Sequence, residues 1–467
     1  MADATAQGAT DALARFAATA SLADVPNAVQ QRLKECLLDF IGNAAFAAMF
    51  AQSSPAFRAG AEALGFGTGD ATVVGEVGGY ATMQAALLNG AYAHTLDFDD
   101  TNAWGSLHPG APVISAALVE AERANVSGSE CLVALTVGYE VACRVGAALG
   151  QTAYDRGFHI TGVAGLFGAV AAVSRLRKLG HEEIASAFGI ALSKAAASMQ
   201  YLENGSWNKR LHPGFAAHDA LLSLAFAQAG VQGAAAPLEG RYGLLTGYTN
   251  KAAPAALTHR LGEWWPSGDT AIKPYPSCRF THGAIDAALD LRSRSTSETR
   301  ARITRALRTG TKLKVRLSPK AMQIVGEAAP NKRQPKNIVD AQFSVYFQIA
   351  LAWLEGACHW QGYEMIGTPE IDSLCTAIEV VADPGVAMAG AQIDLPHPFH
   401  LSVRIDDPLG EDSRPFTGDA LRHKFNALAS PVFGKTQATV IAERVAVIET
   451  EPNMASFIRL LRRSAQA

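Results

Sequence analysis

Apolar positions early in the chain recur at helical spacing. After Pro26, Val29, Leu33, Cys36, Leu37 and Ile41 form a stripe of period 3.6, which predicts a helix with one buried face. A shorter helical pattern covers 11–20. The run 83–93 is apolar and alanine-rich and predicts a wholly buried helix. Further on, Ser129 is the expected N-cap of a helix over 130–149 that ends at Gly150. Thr161 is the expected cap of a helix over 162–179 that ends at Gly180. Helical patterns over 182–200 and 215–230 follow. Alanine and glycine at this density let helices approach closely, and heptads are absent, so a compact bundle is expected rather than a coiled coil.

The periodicity changes near residue 265, where Trp264-Trp265-Pro266-Ser267-Gly268 is a breaker cluster. A helix is expected at about 280–293 and another at 343–354. Around them, 312–317, 377–381 and 401–405 alternate with period two and predict strands. Patterns over 421–428 and 441–461 return to helix. The expected fold is therefore mainly α with an α+β domain. The helical domain comes from 1–268 and 406–467, and 269–405 forms a smaller inserted α+β domain. Gly65-Phe66-Gly67-Thr68-Gly69 looks like a phosphate loop but lacks the Gly-Lys-Ser/Thr ending. Residues 71–75 read as a short strand or loop, and no repeat of fixed period is present.

Composition narrows the function. The chain has 467 residues, 49% apolar and only 18% charged, which fits a large, well-buried globular protein. A net charge of −3 gives no general attraction to nucleic acid or anionic membrane, so neither is an expected partner. The longest apolar run, 162–173, is too short to span a bilayer. Residues 1–10 carry no signal-peptide pattern. Six scattered cysteines without a C-x-x-C pair argue against a disulfide framework or zinc ribbon and suggest the reduced cytoplasm.

The chemistry-bearing residues cluster in turns. His94-Thr95-Leu96-Asp97-Phe98-Asp99-Asp100 ends the buried 83–93 run, and Leu107-His108-Pro109-Gly110 follows. Three acids at the end of a buried helix need partners or water. A second cluster is Tyr154-Asp155-Arg156-Gly157-Phe158-His159, just before a helix N-terminus that favours anions and a neutral imidazole. A third is Lys209-Arg210-Leu211-His212-Pro213-Gly214, which repeats the Leu-His-Pro-Gly of 107–110. A fourth is Lys273-Pro274-Tyr275-Pro276-Ser277-Cys278-Arg279-Phe280-Thr281-His282. Its two X-Pro steps make a stiff presenting loop. A fifth, Asn331-Lys332-Arg333, reads equally well as a solvated surface turn.

Singly, each has a plain structural reading: a core histidine, a surface lysine, a turn aspartate. Convergence of these turns would make an anion-binding pocket in a weakly charged, net acidic chain, and that suits a small polycarboxylate. Proton abstraction beside a carboxylate needs fixed positive charge for the developing dianion, with a base and an acid on opposite faces. Metal-ligand spacing is poor, so no metal is expected; Mg²⁺ across Asp97 and Asp99 is the alternative. Asp97-Phe98-Asp99-Asp100 also matches the D-x-D-D acid motif of helical terpene cyclases, though the basic companion motifs suit a carboxylate better.

The stretches 94–110, 138–140, 157–162, 209–214, 273–282 and 343–356 resemble, in order, those of the MmgE/PrpD family. The resemblance implies a helical domain from both chain ends, an α+β lid, a site between them, a homodimer and cofactor-independent chemistry. Family activities are dehydration of 2-methylcitrate, decarboxylation of cis-aconitate and epimerisation of iminodisuccinate. Carried over residue by residue from the decarboxylase branch, the catalytic positions are Asp97, His108, His159, Lys209 and Lys273. A family tyrosine of the lid has no secure counterpart, since Phe347 falls near its place. Asp99 and Gly110-Ala111-Pro112 depart from the methylcitrate dehydratases. Length and alanine-rich style are similar to the iminodisuccinate epimerases. The sequence is accordingly read as a cofactor-independent epimerase acting alpha to a carboxylate, with iminodisuccinate as substrate. His108 with His159 or Lys209 would exchange the proton, Asp97 would orient a base, and Arg210, His212, Tyr275, Arg279 and His282 would bind substrate. The alternatives are a hydro-lyase or a decarboxylase of the same family, or a binding protein without catalysis.

Overall fold

The computed structural model describes residues 8–64, 68–411 and 413–464. The glycine loop at 65–67 lies outside them. The protein is mainly α-helical with one small mixed sheet. The helices Ala9–Thr19, Asn27–Phe50, Thr82–Thr95, Gly110–Ala124, Gly128–Asp155, Ile160–Leu176, His181–Leu192 and Asn208–Gln228 pack on one apolar core. Gly418–Phe433, Lys435–Ala446 and Met454–Arg459, from the other end of the chain, join the same core. A second apolar cluster gathers residues between 275 and 403, with Met199 and Tyr201 added.

The sheet belongs to that second cluster. β1 (Thr68–Ala71) stands apart; β2 (Leu313–Leu317), β3 (Ile378–Ala382), β4 (Ala391–Leu395) and β5 (Leu401–Ile405) form one sheet in the order β3-β2-β4-β5. β2 pairs with β3 in parallel and with β4 antiparallel, and β4 pairs with β5 antiparallel. The three expected strands are present to within a residue. β4 was not anticipated, although Ala391-Gln392-Ile393-Asp394-Leu395 alternates in burial as a one-sided strand should. The amphipathic helix Ser297–Arg308 was also not anticipated.

Several expected boundaries are corrected. Ser127, not Ser129, caps the long helix: its Oγ accepts from the Glu130 backbone N–H at 3.2 Å, and Glu130 accepts from the Ser127 N–H at 3.0 Å. That reciprocal box fixes the helix start two residues earlier. Gly150, at φ 63°, leaves the helical region and ends the first stretch of this helix, as expected; beyond that kink the chain is helical again to Asp155. His159, not Thr161, holds the N-cap position of Ile160–Leu176; the Thr161 hydroxyl instead accepts from the His108 N–H at 3.0 Å. The 182–200 pattern stops at Leu192, and the 441–461 pattern breaks into two helices around Pro452. Gly128–Asp155 is long and apolar enough to cross a membrane, but 94% of its apolar window is buried against the rest of the protein. All six cysteines are free and buried.

Two features of this packing place the site. Helices Thr82–Thr95 and Asn208–Gln228 cross at Gly90 and Gly214, so closely that a Cβ on Gly90 would stand 2.7 Å from the Gly214 Cα. Only glycine permits that crossing, and it sets the start of the second helix beside the end of the first. Residues 208–214, expected as a turn, are therefore the opening turns of a helix that carries Pro213 inside it. The second feature is Lys424 on Gly418–Phe433. Its buried ammonium donates to the Phe98 carbonyl at 2.7 Å and the Lys273 carbonyl at 2.9 Å. It also pairs with Asp39 at 2.6 Å. Burial pushes the Asp39 carboxyl up to about 6 even with that partner.

Removing one member of a buried ion pair strands the other charge. Lys424→Met is expected to cost roughly 3–5 kcal/mol of unfolding free energy. The double variant Lys424→Met/Asp39→Leu should recover part of it. Urea unfolding of both reads the difference, and equal stability of Lys424→Met and wild type would contradict the assignment.

Candidate active site

The helix Thr82–Thr95 ends in a turn that puts Asp97 in the left-handed region, at φ 51°. Aspartate adopts this conformation more readily than most residues. There, Asp97 Oδ1 accepts from Lys209 Nζ at 2.8 Å and from Lys273 Nζ at 3.0 Å. Lys273 Nζ also donates to the Asp97 carbonyl at 2.9 Å. Lys209 comes from the first turn of Asn208–Gln228. Lys273 follows an isolated bridge between Thr101 and Ala271. All three side chains are buried. Burial alone would raise the Asp97 carboxyl; the two ammoniums beside it hold it well below the usual carboxylate range.

The other two acids diverge from Asp97. Asp99 Oδ2 lies 2.7 Å from His94 Nδ1 and 3.4 Å from His108 Nδ1. Burial opposes its ionisation, but those imidazoles keep its carboxyl below the usual range. Asp100 accepts from the Tyr139 hydroxyl at 2.7 Å and from the Gly110 N–H at 3.1 Å. Burial pushes it up to about 7. One acid thus neutralises lysines, one orients imidazoles and one pins the start of helix Gly110–Ala124. Three carboxylates with three different sets of partners do not form the shared acid face of a D-x-D-D cyclase.

The imidazoles form a contiguous group. His94 packs edge-to-face on His108, with ring centroids 4.8 Å apart, and stacks on His159 at 5.5 Å. His159 Nδ1 lies 3.0 Å from His212 Nδ1. Burial pushes His108 and His159 well below the ordinary histidine value, lowers His94 and brings His212 to about 3. His94, Asp99 and His108 bring three ligand-type atoms within 4.8 Å of one another. The 2.7 Å His94–Asp99 separation is that of a charge-assisted hydrogen bond, and shorter than the roughly 3.3 Å between two ligands on one tetrahedral zinc.

A cavity of about 390 Å³ opens against these groups. Asp97, His108, His159, Lys209, Lys273 and Arg279 line it, so all five expected catalytic residues and one expected binding residue meet there. Arg279 donates to the Thr101 hydroxyl at 3.1 Å and pairs with Glu411. The other four expected binding residues do not line it. Arg210 donates to Ser53 Oγ at 2.9 Å, and His212 sits behind His159. The Tyr275 hydroxyl donates to Asp286 at 2.6 Å, and His282 Nε2 lies 3.3 Å from the Ser277 carbonyl. Lys332 lines a separate cavity of about 290 Å³.

Sequence reading did not single out Tyr201, Phe343 or Lys320 as cavity residues. Lys209 rides over the Phe343 ring at 5.3 Å, and Lys320 pairs with Asp155 at 2.6 Å. The cavity tyrosines are Tyr154 and Tyr201; Phe347 instead stacks on Tyr363. Among the cavity-lining residues, Asp97 Oδ2 and His108 Nδ1 have no hydrogen-bond partner within the protein.

Known family models match almost the whole chain. The MmgE/PrpD N-terminal domain matches residues 11–256, and the MmgE/PrpD C-terminal domain matches 275–450. A cis-aconitate decarboxylase-like protein, oryM, of Aspergillus oryzae is 28% identical over 94% of this chain and 94% of its own length. The cis-aconitate decarboxylase of Aspergillus terreus is 24% identical over 97% and 96%. The human cis-aconitate decarboxylase is 28% identical over 74% and 72%. These relatives correct the expected activity. They are named as decarboxylases, which are lyases, and not as isomerases, so the iminodisuccinate epimerase reading is set aside.

The buried neutral imidazoles make a prediction for stability. A group whose proton affinity is lower folded than unfolded favours the folded state above its unfolded pKa, near 6.5 for histidine. That contribution is lost as pH falls from there toward the folded value. His94, His108, His159, His212 and His282 are all shifted this way by burial. Unfolding free energy should therefore decline below pH 6.5, at a limiting rate of about 1.4 kcal/mol per pH unit for each histidine. Urea titrations between pH 8 and 5 test this, and a flat profile would contradict it.

Proposed function

The chain belongs to the MmgE/PrpD family, and on that premise we propose that it is a cofactor-independent decarboxylase of a small unsaturated polycarboxylate of the cis-aconitate type. The observation that carries the reading is the convergence of Lys209 and Lys273 on Asp97, in one cavity with His108 and His159. The full-length relatives named as cis-aconitate decarboxylases support it.

Two buried ammoniums and one carboxylate leave a net positive charge. A polycarboxylate brings the charge that balances it. In this reading Lys209, Lys273 and Arg279 hold the carboxylates that remain in the product. The leaving carboxylate faces the apolar part of the wall, formed by Leu107, Phe280, Phe343 and Met388, where it loses hydration and neutral CO₂ is favoured. The C–C bond breaks, and its electron pair passes into the adjacent double bond and toward a retained carboxylate. The fixed cations stabilise that developing charge.

One proton must then be added to carbon for each CO₂ released. His108 is the proposed donor, with Asp99 behind its Nδ1 and the cavity in front. Its burial keeps it neutral without ligand. The negative charge of a bound polycarboxylate raises its proton affinity, so the substrate loads the acid that it needs. In this reading His159, in the same cavity, is a second acid or base. We keep with this reading a cytoplasmic homodimer, testable by light scattering.

The test is incubation of the purified protein with cis-aconitate in D₂O, followed by proton NMR and CO₂ detection. The expected outcome is CO₂ release and a dicarboxylate carrying one solvent-derived deuterium. His108→Gln should lower kcat by about 10²–10⁴-fold, and Lys273→Met should raise KM and lower kcat together. An inert cis-aconitate with dehydration of 2-methylcitrate would overturn the reading in favour of a hydro-lyase.

A further inference from the structure

We propose that His94, which does not line the cavity, is a positioning residue that sets the proton affinity of His108 by competing with it for one oxygen of Asp99. The inference rests on the decarboxylase reading only for the use made of the His108 proton.

Asp99 Oδ2 has two imidazole neighbours, His94 Nδ1 at 2.7 Å and His108 Nδ1 at 3.4 Å. An ionised carboxylate only accepts, so His94 Nδ1 carries the hydrogen that points to it. The shorter contact is a full charge-assisted hydrogen bond, and the longer one is not. His108 Nδ1 accordingly has no hydrogen-bond partner. His94 is buried at the end of Thr82–Thr95 and cannot turn away, because its ring is held edge-to-face on His108 and stacked on His159.

Asp99 is the negative group closest to His108. Burial disfavours the protonated form of His108, and the Lys273 and Lys209 ammoniums, like His94, act in the same direction. His94 itself faces Asp99, Asp97 and Lys209. Withdrawing the His94 N–H would free Asp99 Oδ2 for His108 Nδ1 and favour the imidazolium of His108. His94 thus keeps His108 neutral until an anionic substrate supplies the missing negative charge.

The experiment uses the full-length protein, labelled in its histidine rings, and three variants. His94→Phe keeps a ring and removes the donor. His94→Gln removes the donor from the Nδ1 position but keeps polarity, which guards against a folding failure of the first. His94→Asn places an amide N–H near the Nδ1 position. NMR titration without substrate should show His108 raised by about one pH unit in His94→Phe and His94→Gln and near wild type in His94→Asn. The alkaline limb of kcat/KM for cis-aconitate should move up by the same amount in His94→Phe and His94→Gln, because the donor stays protonated to higher pH. An unmoved His108 titration in folded His94→Phe or His94→Gln, or an equal shift in His94→Asn, would overturn the proposal. Absence of turnover would count against the decarboxylase reading alone, since the titration needs no substrate.

Discussion

Everything in the site follows from two ammoniums sharing one carboxylate in a place that water scarcely reaches. Asp97, Lys209 and Lys273 are each 3–5% exposed. A buried charge without a partner is among the costliest features a fold can carry. Asp97 is doubly satisfied through Oδ1, yet the trio still holds one positive charge in excess. The imidazoles around it are kept neutral by burial, so they neither add to that excess nor cancel it. That excess charge is what the proposed anionic substrate would balance.

The architecture supplies the rigidity that such a site needs. Asp97 ends a helix of the large core, Lys209 starts a second helix of that core, and Lys273 lies on the segment leading to the α+β unit. The crossing at Gly90 and Gly214 locks the first two together. Lys424, from the far end of the chain, holds the backbone beside Asp97 and the backbone of Lys273 with one ammonium. Gln342, from the other side, donates to the Leu96 carbonyl at 2.7 Å. Residues more than 240 positions apart in sequence thus hold one turn, and the cavity forms where the two apolar clusters meet.

The sequence made some of this legible. The 3.6-residue stripes and the period-two runs located most helices and three of the four sheet strands, because those elements bury a face and the pattern records it. The acidic turn after 83–93 and the basic turns at 209 and 273 drew attention for a physical reason, since charge adjoining apolar runs needs an explanation. What could not be read was partnership. Nothing local says that Asp97 meets two lysines 112 and 176 positions away, that Asp99 meets two imidazoles, or that Tyr275 turns aside to Asp286. His94 was overlooked as a functional group because one histidine in an alanine-rich helix looks like core. Helix limits failed where tertiary contacts overrode local signals, as at Pro213. The choice of activity within the family was also beyond local reading, because epimerisation, dehydration and decarboxylation of a polycarboxylate all call for fixed positive charge beside the reacting carbon.

The central claim is that the cluster is a proton-coupled anion receptor. Calorimetric titration with a saturated tricarboxylate, which has no double bond to accept the electrons, tests it most directly. The titration would be run at pH 7 in two buffers of different ionisation enthalpy. The account predicts binding with net proton uptake, because the ligand's charge raises the neutral imidazoles toward protonation. Weaker binding in Lys273→Met should accompany it. Binding without proton exchange, or no difference between wild type and Lys273→Met, would contradict the account.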